Sequence, residues 1–288
     1  MINISFCIVN LNAKKVLKEC LNSIKNSIKD EEYEIIITDN NSTDGSQKMI
    51  NTFKKKICII QNNRNEGYTS ALNKGIIKST GKYIIVLNPD TILENMSITN
   101  LISSLKKNSA IGIVGPKVIN EDGTFQKSCR RGLAKPKAVF SYFLGLSSKF
   151  SNNENFTGYH LNHLDENKTN EVFGVSGSCM AIRREVVNDI GYFDERYFAY
   201  QEDSDYCLMA INKGWKVLYN PSVKVLHKGG RGGSNTVPMK AIFEWHRSYY
   251  KYYFKHFSKD YSFVFNIFYS LVMLLKLLFS QIFFIIKS

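Results

Sequence analysis

The first 88 residues alternate continuous apolar runs with segments of helical spacing. The apolar runs indicate strands at residues 4–12, 33–39, 57–63 and 82–88, and helical spacing occurs at 14–27, 47–53 and 67–79. Strands that alternate with helices are typical of right-handed βαβ crossovers, which build a parallel sheet. Because such strands are covered on both faces, they are apolar throughout rather than at every second residue. The pattern predicts an α/β fold with a Rossmann-like, mostly parallel central sheet flanked by helices.

Polar residues follow each of the four predicted strands. In an open parallel sheet, ligands bind outside the carboxyl ends of the strands, so these residues are expected on one rim. In chain order they are Asn10 and Asn12; Asp39, Asn40, Asn41, Ser42 and Asp44; Arg64, Asn65 and Gly67; and Asn88 and Asp90. Some of them have an ordinary explanation, since "DNNSTDGS" suits a turn before an N-capped helix and Gly67 suits a crowded helix start. Their recurrence at four successive strand ends favours a binding site.

The chain lacks the glycine-rich loops that bind nucleotide phosphates through the backbone. "VNLNAKKV", after the first strand, contains no glycine, and no G-x-x-x-x-G-K-[ST] sequence occurs. A nucleotide at this rim is therefore expected to be held by side chains, with Asp39 accepting a hydrogen bond from a base N–H.

An acidic cluster lies in the second half of the chain. Residues 172–220 contain a strand broken by glycines, a helix that ends at Gly191, and a second helix opened by Glu202, Asp203 and Asp205. Acidic residues at a helix start interact favourably with the helix dipole, which accounts for two of the three. Three carboxylates within four residues exceed that need, and like charges so close raise one another's pKa. A raised pKa suits a carboxylate that accepts a proton.

The charge distribution predicts an anionic partner. The 288 residues carry a net charge of +13, but the basic residues form no compact cluster with a nucleic-acid motif, so nucleic acid is not expected. Residues 228–288 hold nine Lys or Arg against only Glu244 and Asp260, beside the most apolar part of the chain. This asymmetry favours an anionic membrane surface.

The C-terminal segment, residues 262–288, is long enough to span a bilayer. At about 100° per residue, one side of a helix collects its polar residues: Ser262, Asn266, Ser270, Lys276, Ser280 and Gln281. Such a stripe fits a helix that lies in the membrane interface with its lysines towards the headgroups. A transmembrane anchor competes with this interpretation. A buried core helix is the third possibility, but it would leave Lys276 in need of a partner.

Cysteines and the N-terminus indicate an intracellular chain. The six cysteines are scattered without a C-x-x-C pair, which favours buried free thiols over zinc or disulfides. "MINISFCIVNLN" lacks a basic flank and a cleavage site, so no signal peptide is expected and the chain is predicted to begin in the cytoplasm.

Six motifs in order carry a family resemblance. They are "IVNLN", "ITDNNSTDGS", "NRNEGYTSALNKGI", "VLNPDT", "SGSCMAIRREVVNDIGYFDERYFAYQEDSDYC" and "HKGGRGGS", within residues 4–247. On these motifs the chain resembles the inverting glycosyltransferases of family 2, which have the glycosyltransferase A-type fold. Within them it is similar to the rhamnosyltransferase-like branch of bacterial surface-polysaccharide synthesis.

The resemblance implies a divalent metal ion, Mn²⁺ or Mg²⁺, under the donor diphosphate. Asp90 matches the last acid of an Asp-x-Asp-like motif that coordinates the ion, and Asn88 occupies the first position of that motif. His227 is similar to a family histidine that supplies a second metal contact. The ordinary alternative for His227 is a hydrogen-bonded histidine before a glycine-rich loop.

The resemblance also implies roles for the other site residues. Asp203 matches the catalytic base, with Glu202 and Asp205 as the alternative carboxylates. The expected nucleotide-sugar contacts are Asp39 to the base, Asn10 and Asn41 in the nucleoside pocket, Asn65 and Gly67 beside it, and Arg247 at the diphosphate. A contact with the lipid surface is the alternative for Arg247.

These implications define the expected organisation and function. Residues 1–105 would bind the nucleotide sugar, residues 106–240 would form the acceptor-binding and catalytic half of the same domain, and residues 241–288 would associate with the membrane. The expected reaction moves one sugar, L-rhamnose from dTDP-rhamnose by preference, to a polyprenyl-diphosphate-linked glycan. It would take place at the cytoplasmic face of the bacterial inner membrane, on a peripheral or monotopic protein.

Three alternatives stay open on the residues. Another sugar could come from UDP, because no residue excludes galactose, glucose or N-acetylhexosamines. A sugar-nucleotide nucleotidyltransferase would usually show a glycine-rich basic loop after the first strand, and "VNLNAKK" lacks one. A non-catalytic glycan- or lipid-binding protein could share the same scaffold.

Overall fold

A computed structural model describes residues 2–53, 57–230 and 237–287. Its N-terminal part contains the predicted alternation of strands and helices. The elements are β1 (Ile4–Asn10), α1 (Lys14–Ser27), β2 (Tyr33–Asp39), α2 (Ser46–Ile50), β3 (Ile57–Gln61), α3 (Tyr68–Lys78) and β4 (Tyr83–Leu87). Strand β1 pairs in parallel with both β2 and β4, and β2 pairs in parallel with β3. Every residue of β1 and β4 is buried, as expected for strands covered on both faces.

The later elements extend the same sheet. They are β5 (Thr91–Leu93), α4 (Ser97–Lys107), β6 (Ile111–Ile119), β7 (Arg130–Arg131), α5 (Pro136–Phe143), α6 (Leu146–Lys149), α7 (Glu154–Thr157), β8 (Asn170–Glu171), β9 (Gly174–Val175), β10 (Cys179–Arg183), α8 (Arg184–Ile190), α9 (Glu202–Asn212), β11 (Lys216–His227), α10 (Pro238–His256) and α11 (Phe263–Lys287). Short 3₁₀ turns lie at Lys127–Cys129 and Ser258–Asp260.

The main sheet is parallel in its first half and mixed in its second. Its strand order is β3-β2-β1-β4-β10-β6-β11-β5, with β8 also paired to β11. Strand β10 runs antiparallel to both β4 and β6, whereas β11 runs parallel to β6 and antiparallel to β5. One continuous sheet therefore passes through residues from both predicted halves, and the predicted α/β class with a helix-flanked central sheet is confirmed.

Residues 120–170 show no regular helical or strand spacing in the sequence, and several of them contribute to a second core. Helices α5, α6 and α7 lie here, and α5 and the residues after α7 pack with α10 and α11 around an aromatic core. Tyr253 stacks on Tyr269 with ring centroids 3.9 Å apart, and Tyr159 lies 5.9 Å from Tyr249. This second core joins the predicted acceptor half to the C-terminal helices.

The polar stripe of α11 faces the protein rather than lipid headgroups. The ammonium of Lys276 lies 4.7 Å from the ring centroid of Phe143 and 5.5 Å from that of Trp245. Asn266, one turn from the start of α11, accepts a hydrogen bond from the hydroxyl of Tyr253 on α10. The expectation that Lys276 points to the headgroups is therefore wrong, because α5 and α10 supply aromatic partners for its charge. The opposite, apolar side of α11 is exposed.

Gly67 fixes the position of α3 against the loop before α9. Its φ is +94°, and a Cβ built on it would lie 2.7 Å from the carbonyl oxygen of Phe198. The same oxygen accepts a hydrogen bond of 2.7 Å from the backbone N–H of Tyr68. Only glycine therefore fits both the backbone angle and the close approach.

We expect Gly67→Ala to destabilise the fold by about 2 kcal/mol or more beyond the effect of Gly123→Ala. Gly123 is the matched control, because its φ is +80° but nothing lies within 4 Å of a Cβ built on it. Urea unfolding of both variants measures the difference in their free energies of unfolding. Equal destabilisation by the two substitutions would show that contact with Phe198 does not constrain this position.

Candidate functional site

A cavity of about 480 Å³ lies at the carboxyl edge of the parallel strands. This volume is within the range of pockets that hold small ligands. The residues that line it come from strand ends, from the starts of α3 and α9, from α5 and α10, and from loops; they include Asn40, Asn65, Tyr68, Asn88, Asp90, Gln126, Arg131, Tyr142, Tyr159, Gly177, Phe198, Glu202, Asp203, His227, Lys240, Trp245 and Tyr249. The predicted metal-binding residues and two of the three predicted acids therefore share one cavity.

Asp90 and His227 lie side by side in this cavity. The antiparallel pairing of β5 with β11 places His227 opposite Thr91, and the N–H of Lys228 donates to the Asp90 carbonyl at 3.0 Å. As a result, Oδ1 of Asp90 lies 3.2 Å from Nε2 of His227. The other ring nitrogen, Nδ1, lies 3.0 Å from Oε1 of Gln126.

This geometry fits a divalent cation. When Nδ1 of His227 donates its proton to Gln126, the lone pair on Nε2 is available to a cation that also contacts the carboxylate of Asp90. Octahedral ligands at about 2.1 Å from an ion are separated by about 3 Å, close to the observed spacing. The described residues contain no group of three or more His, Cys, Asp and Glu side chains that could hold a metal. Further ligands would come from the substrate, from water or from uncharged groups such as the side-chain amide of Asn88, whose Nδ2 lies 3.4 Å from Nε2 of His227.

Asp203 accepts hydrogen bonds from four N–H groups and from the hydroxyl of Ser204, the last at 3.4 Å. Nη1 and Nη2 of Arg131 lie 2.6 Å from Oδ1 and Oδ2 respectively, and the N–H groups of Gly177 and Ser204 donate to Oδ2 and Oδ1 at 2.9 and 2.7 Å. Burial alone would raise the pKa of Asp203, but the charge and hydrogen bonds of Arg131 outweigh it and hold that pKa below its usual range. The expectation that neighbouring acids raise the pKa of Asp203 is therefore wrong.

The pKa of Glu202 is shifted in the opposite direction to that of Asp203. It is 7% exposed and lines the cavity, and burial followed by the charge of Asp203 raises its pKa. Within residues 2–53, 57–230 and 237–287, its Oε2 has no hydrogen-bond partner. The expected rise in pKa thus occurs at Glu202.

Asp205 points away from the cavity. Its Oδ1 lies 2.6 Å from Nε2 of His256 and accepts from the hydroxyl of Tyr197 at 3.1 Å, while its Oδ2 accepts from Lys255 at 2.7 Å. Asp205 therefore connects α9 to α10 through a buried ionic cluster. This position fits support of the fold better than contact with a substrate.

The predicted nucleoside residues divide between the cavity and the layer beneath it. Asn65 lines the cavity, whereas Asp39 is fully buried and accepts from Asn10 at 2.6 Å. Further donors to Asp39 are the N–H of Ser42 and the side-chain amides of Gln47 and Gln61. In this arrangement Asp39 joins the ends of β1, β2 and β3.

Asn41 and Arg247 are both exposed. Asn41 adopts a φ of +67° in the turn after β2, and its neighbour Asn40 lines the cavity instead. Arg247 forms a salt bridge of 3.0 Å with Glu244, and Glu244 is the member of this pair that lines the cavity. The part of the "HKGGRGGS" motif at 231–234 lies outside the described residues.

Sequence reasoning missed Arg131 and Lys240. Arg131 lies in the unreadable stretch 120–170 and reaches an acid 72 residues further along the chain. Lys240 lines the cavity with its ammonium 3.9 Å from the ring centroid of Phe198. The doubled arginine of "CRRGL" was the only local signal for Arg131, and such a pair is usually solvent-exposed.

A family model described as glycosyl transferase family 2 matches residues 5–191. The chain belongs to this family. A second model, glycosyl transferase family group 2, matches residues 141–287, so the two matches together include the strand ends, the acid pair and the C-terminal helices. The protein is a hexosyltransferase-type enzyme, as its motifs predicted.

Two relatives cover most of the chain. The N-acetylglucosaminyl-diphospho-decaprenol L-rhamnosyltransferase of Mycobacterium tuberculosis is 28% identical over 227 residues, which are 75% of this chain and 73% of the relative. The low-salt glycan biosynthesis hexosyltransferase of Haloferax volcanii is 24% identical over 229 residues, which are 78% of this chain and 67% of the relative.

Solved structures share the fold at low identity. A mannosyltransferase from Pyrobaculum calidifontis, in complex with GDP-Man and Mn²⁺, has a TM-score of 0.58 at 15% identity over 88% of this chain and 64% of that one. GalNAc-T7 with UDP, GalNAc and Mn²⁺ has a TM-score of 0.61 at 19% identity over 88% of this chain and 48% of that one. The chain thus spans less than two thirds of either protein, and the likeness confirms the glycosyltransferase A-type fold.

We expect His227→Ala to weaken Mn²⁺-dependent binding of a nucleoside diphosphate by at least about tenfold, because one of two adjacent ligands is removed. His163→Ala is the matched control, since His163 bonds to Thr157 and is not among the described residues that line the cavity. Calorimetry with dTDP and UDP, with and without Mn²⁺, gives the affinities. An unchanged Mn²⁺-dependent affinity in His227→Ala would exclude His227 as a ligand.

Proposed function

We propose that this protein is an inverting glycosyltransferase that moves one sugar from a nucleoside diphosphate donor to a hydroxyl of a polyprenyl-diphosphate-linked glycan. L-Rhamnose carried on dTDP is the proposed donor sugar. The observation that carries the proposal is the placement of the Asp90–His227 pair and the Glu202–Asp203 pair in one cavity. The donor diphosphate and the acceptor hydroxyl can therefore meet there.

The donor side of the site contains Asn40, Asn65, Asp90 and His227. Asp90 and His227 would hold a divalent ion, which would neutralise charge on the departing nucleoside diphosphate. Mn²⁺ suits this pair better than Mg²⁺, because an imidazole nitrogen is a softer ligand than oxygen. The amides of Asn40 and Asn65 offer donors and acceptors to the nucleotide from the ends of β2 and β3.

One member of the acid pair performs the proton transfer. Asp203, held ionised by Arg131, accepts the proton of the acceptor hydroxyl. The acceptor oxygen forms a bond to the anomeric carbon while the bond from that carbon to the diphosphate oxygen breaks, and the electron pair leaves on the diphosphate. One direct displacement inverts the anomeric configuration.

Aromatic side chains form the wall on the acceptor side. Tyr142, Tyr159, Trp245 and Tyr249 line the cavity and come from α5, α10 and the residues between α7 and β8. Aromatic faces suit the apolar faces of sugar rings, and the phenolic hydroxyls can bond to sugar hydroxyls. The name of the mycobacterial relative, which specifies a lipid-linked N-acetylglucosamine acceptor, supports an acceptor of this class.

Helix α11 supports placement at a membrane. Within the described residues it is the one helix long and apolar enough to cross a bilayer, and 11% of its most apolar window is buried. Its inner side packs along α10, whose Lys255 and His256 pair with the buried Asp205. Because α10 carries these charged groups, the pair of helices fits the interface better than the hydrocarbon core. We therefore infer a peripheral or monotopic protein at the cytoplasmic face of the bacterial inner membrane.

We expect the protein with Mn²⁺ to release nucleoside diphosphate from dTDP-L-rhamnose only when polyprenyl-diphosphate-linked N-acetylglucosamine is present. A panel of UDP-sugars tests the donor, EDTA tests the metal, and NMR of the product gives the anomeric configuration. Faster transfer from a UDP-sugar would show that this UDP-sugar, and not dTDP-L-rhamnose, is the donor. Failure with every donor, or retention of configuration, would contradict the proposed reaction.

We expect the double variant Leu275→Glu and Phe279→Glu to abolish binding to anionic lipid vesicles, because it places two charges on the exposed side of α11. Ile77→Glu is the matched control, since Ile77 is exposed on α3. Vesicle co-sedimentation at physiological salt measures binding. Retained binding by the double variant, with the control also bound, would show that α11 does not contact the membrane.

A further inference from the structure

Two adjacent carboxyl groups in this cavity have opposite surroundings. Asp203 receives the whole guanidinium fork of Arg131, whereas Glu202 receives no hydrogen bond at Oε2 from the described residues. Both side chains are more than nine-tenths buried and both line the cavity. Two neighbouring acids in such different environments are expected to hold different protonation states.

We propose that Arg131 assigns the two acids different roles: Asp203 stays an anion and takes the acceptor proton, whereas Glu202 keeps its own proton and donates a hydrogen bond to a sugar hydroxyl. This inference rests on the proposed glycosyl transfer. Arg131 is a positioning residue in this scheme, because it acts through Asp203. Glu202 is a substrate-binding residue.

The hydrogen-bond donors around Asp203 keep its carboxyl group ionised. Four N–H donors point at its two oxygens, and each of them stabilises a carboxylate and disfavours a carboxylic acid. The N–H of Gly177, at 2.9 Å, makes the longest of these contacts. Gly177 lines the cavity and contacts Oδ2, so the acceptor hydroxyl approaches Oδ2 on this side and replaces the Gly177 donor. The hydroxyl proton then passes to Oδ2 as the acceptor oxygen bonds to the anomeric carbon and the diphosphate departs.

The proton on Glu202 follows from its burial and from the pairing of Arg131 with its neighbour. Both terminal nitrogens of Arg131 are engaged by Asp203, and the charge of Asp203 affects Glu202 more strongly than that of Arg131. Titratable groups near the pair include Tyr68 on α3, Arg131 on β7 and Asp205 on α9. The same cavity is also lined by Asp90, Tyr159, His160, His227, Lys240, Glu244 and Tyr249. Burial and the anion of Asp203 outweigh the more distant effect of Arg131 and raise the pKa of Glu202. A neutral carboxylic acid offers one O–H donor, which suits a sugar hydroxyl.

The matched variants Glu202→Gln and Asp203→Asn test this division of roles. Glutamine keeps a donor at position 202, so we expect a KM raised severalfold and a kcat lowered by less than about tenfold. Asparagine cannot accept the proton, so we expect kcat to fall by at least about 100-fold with donor binding nearly unchanged. A larger fall in kcat for Glu202→Gln than for Asp203→Asn, or an equal fall in both, would overturn the proposal.

Arg131→Gln tests the positioning role. Without the guanidinium the pKa of Asp203 rises, so Asp203 becomes protonated at a higher pH. The acidic limb of the profile of kcat/KM against pH therefore moves to higher pH. Arg131→Lys should restore part of the shift. A variant that folds normally by circular dichroism but keeps the wild-type acidic limb would contradict the role of Arg131.

Infrared spectroscopy tests the proton on Glu202 without catalysis. The wild-type protein at pH 7 should show the absorption of a buried protonated carboxyl group that disappears in Glu202→Gln and persists in His163→Ala. Persistence of that absorption in Glu202→Gln would overturn the assignment. A wild-type protein that transfers no sugar would overturn the proposed function. The infrared result would still show whether Glu202 is protonated.

Discussion

The antiparallel pairing of β5 with β11 is the contact on which the site depends. It brings His227, near the end of the sheet, to within 3.2 Å of Asp90, which follows β4. The parallel strands before it direct their carboxyl ends to the same edge, and β10 places Gly177 beside the start of α9. Residues that are far apart in the chain therefore meet in one cavity because of the order and direction of the strands.

Within that cavity, two electrostatic arrangements face each other. On one side a carboxylate and a ring nitrogen lie close enough to share a divalent cation. On the other side both terminal nitrogens of Arg131 pair with Asp203, and Oε2 of the neighbouring Glu202 has no hydrogen-bond partner among the described residues. Burial strengthens both effects, because charges in a low-dielectric site interact more strongly than in water. The Asp90–His227 pair with its cation suits an anionic donor, and the Glu202–Asp203 pair suits a hydroxyl acceptor.

Local sequence patterns predicted the first half of the fold well and the contacts of the site less well. Strands β1 to β4 were readable because runs of apolar residues and helical spacing are local properties. Asp90, Asp203 and His227 were identified by motifs, but Arg131 was not, since its partner lies 72 residues away. Helical projection correctly grouped Asn266 and Lys276 on one side of α11. It could not show that this side faces α10 instead of lipid headgroups.

Anomalous diffraction at the Mn edge, from crystals grown with Mn²⁺ and a nucleoside diphosphate, tests the central claim most directly. The account predicts one strong peak within ligand distance of Oδ1 of Asp90 and Nε2 of His227, with the diphosphate bound to the same ion and the nucleoside near Asn65. The Glu202–Asp203 pair would lie across the same cavity. A manganese peak elsewhere, or a nucleotide bound outside the cavity, would contradict it.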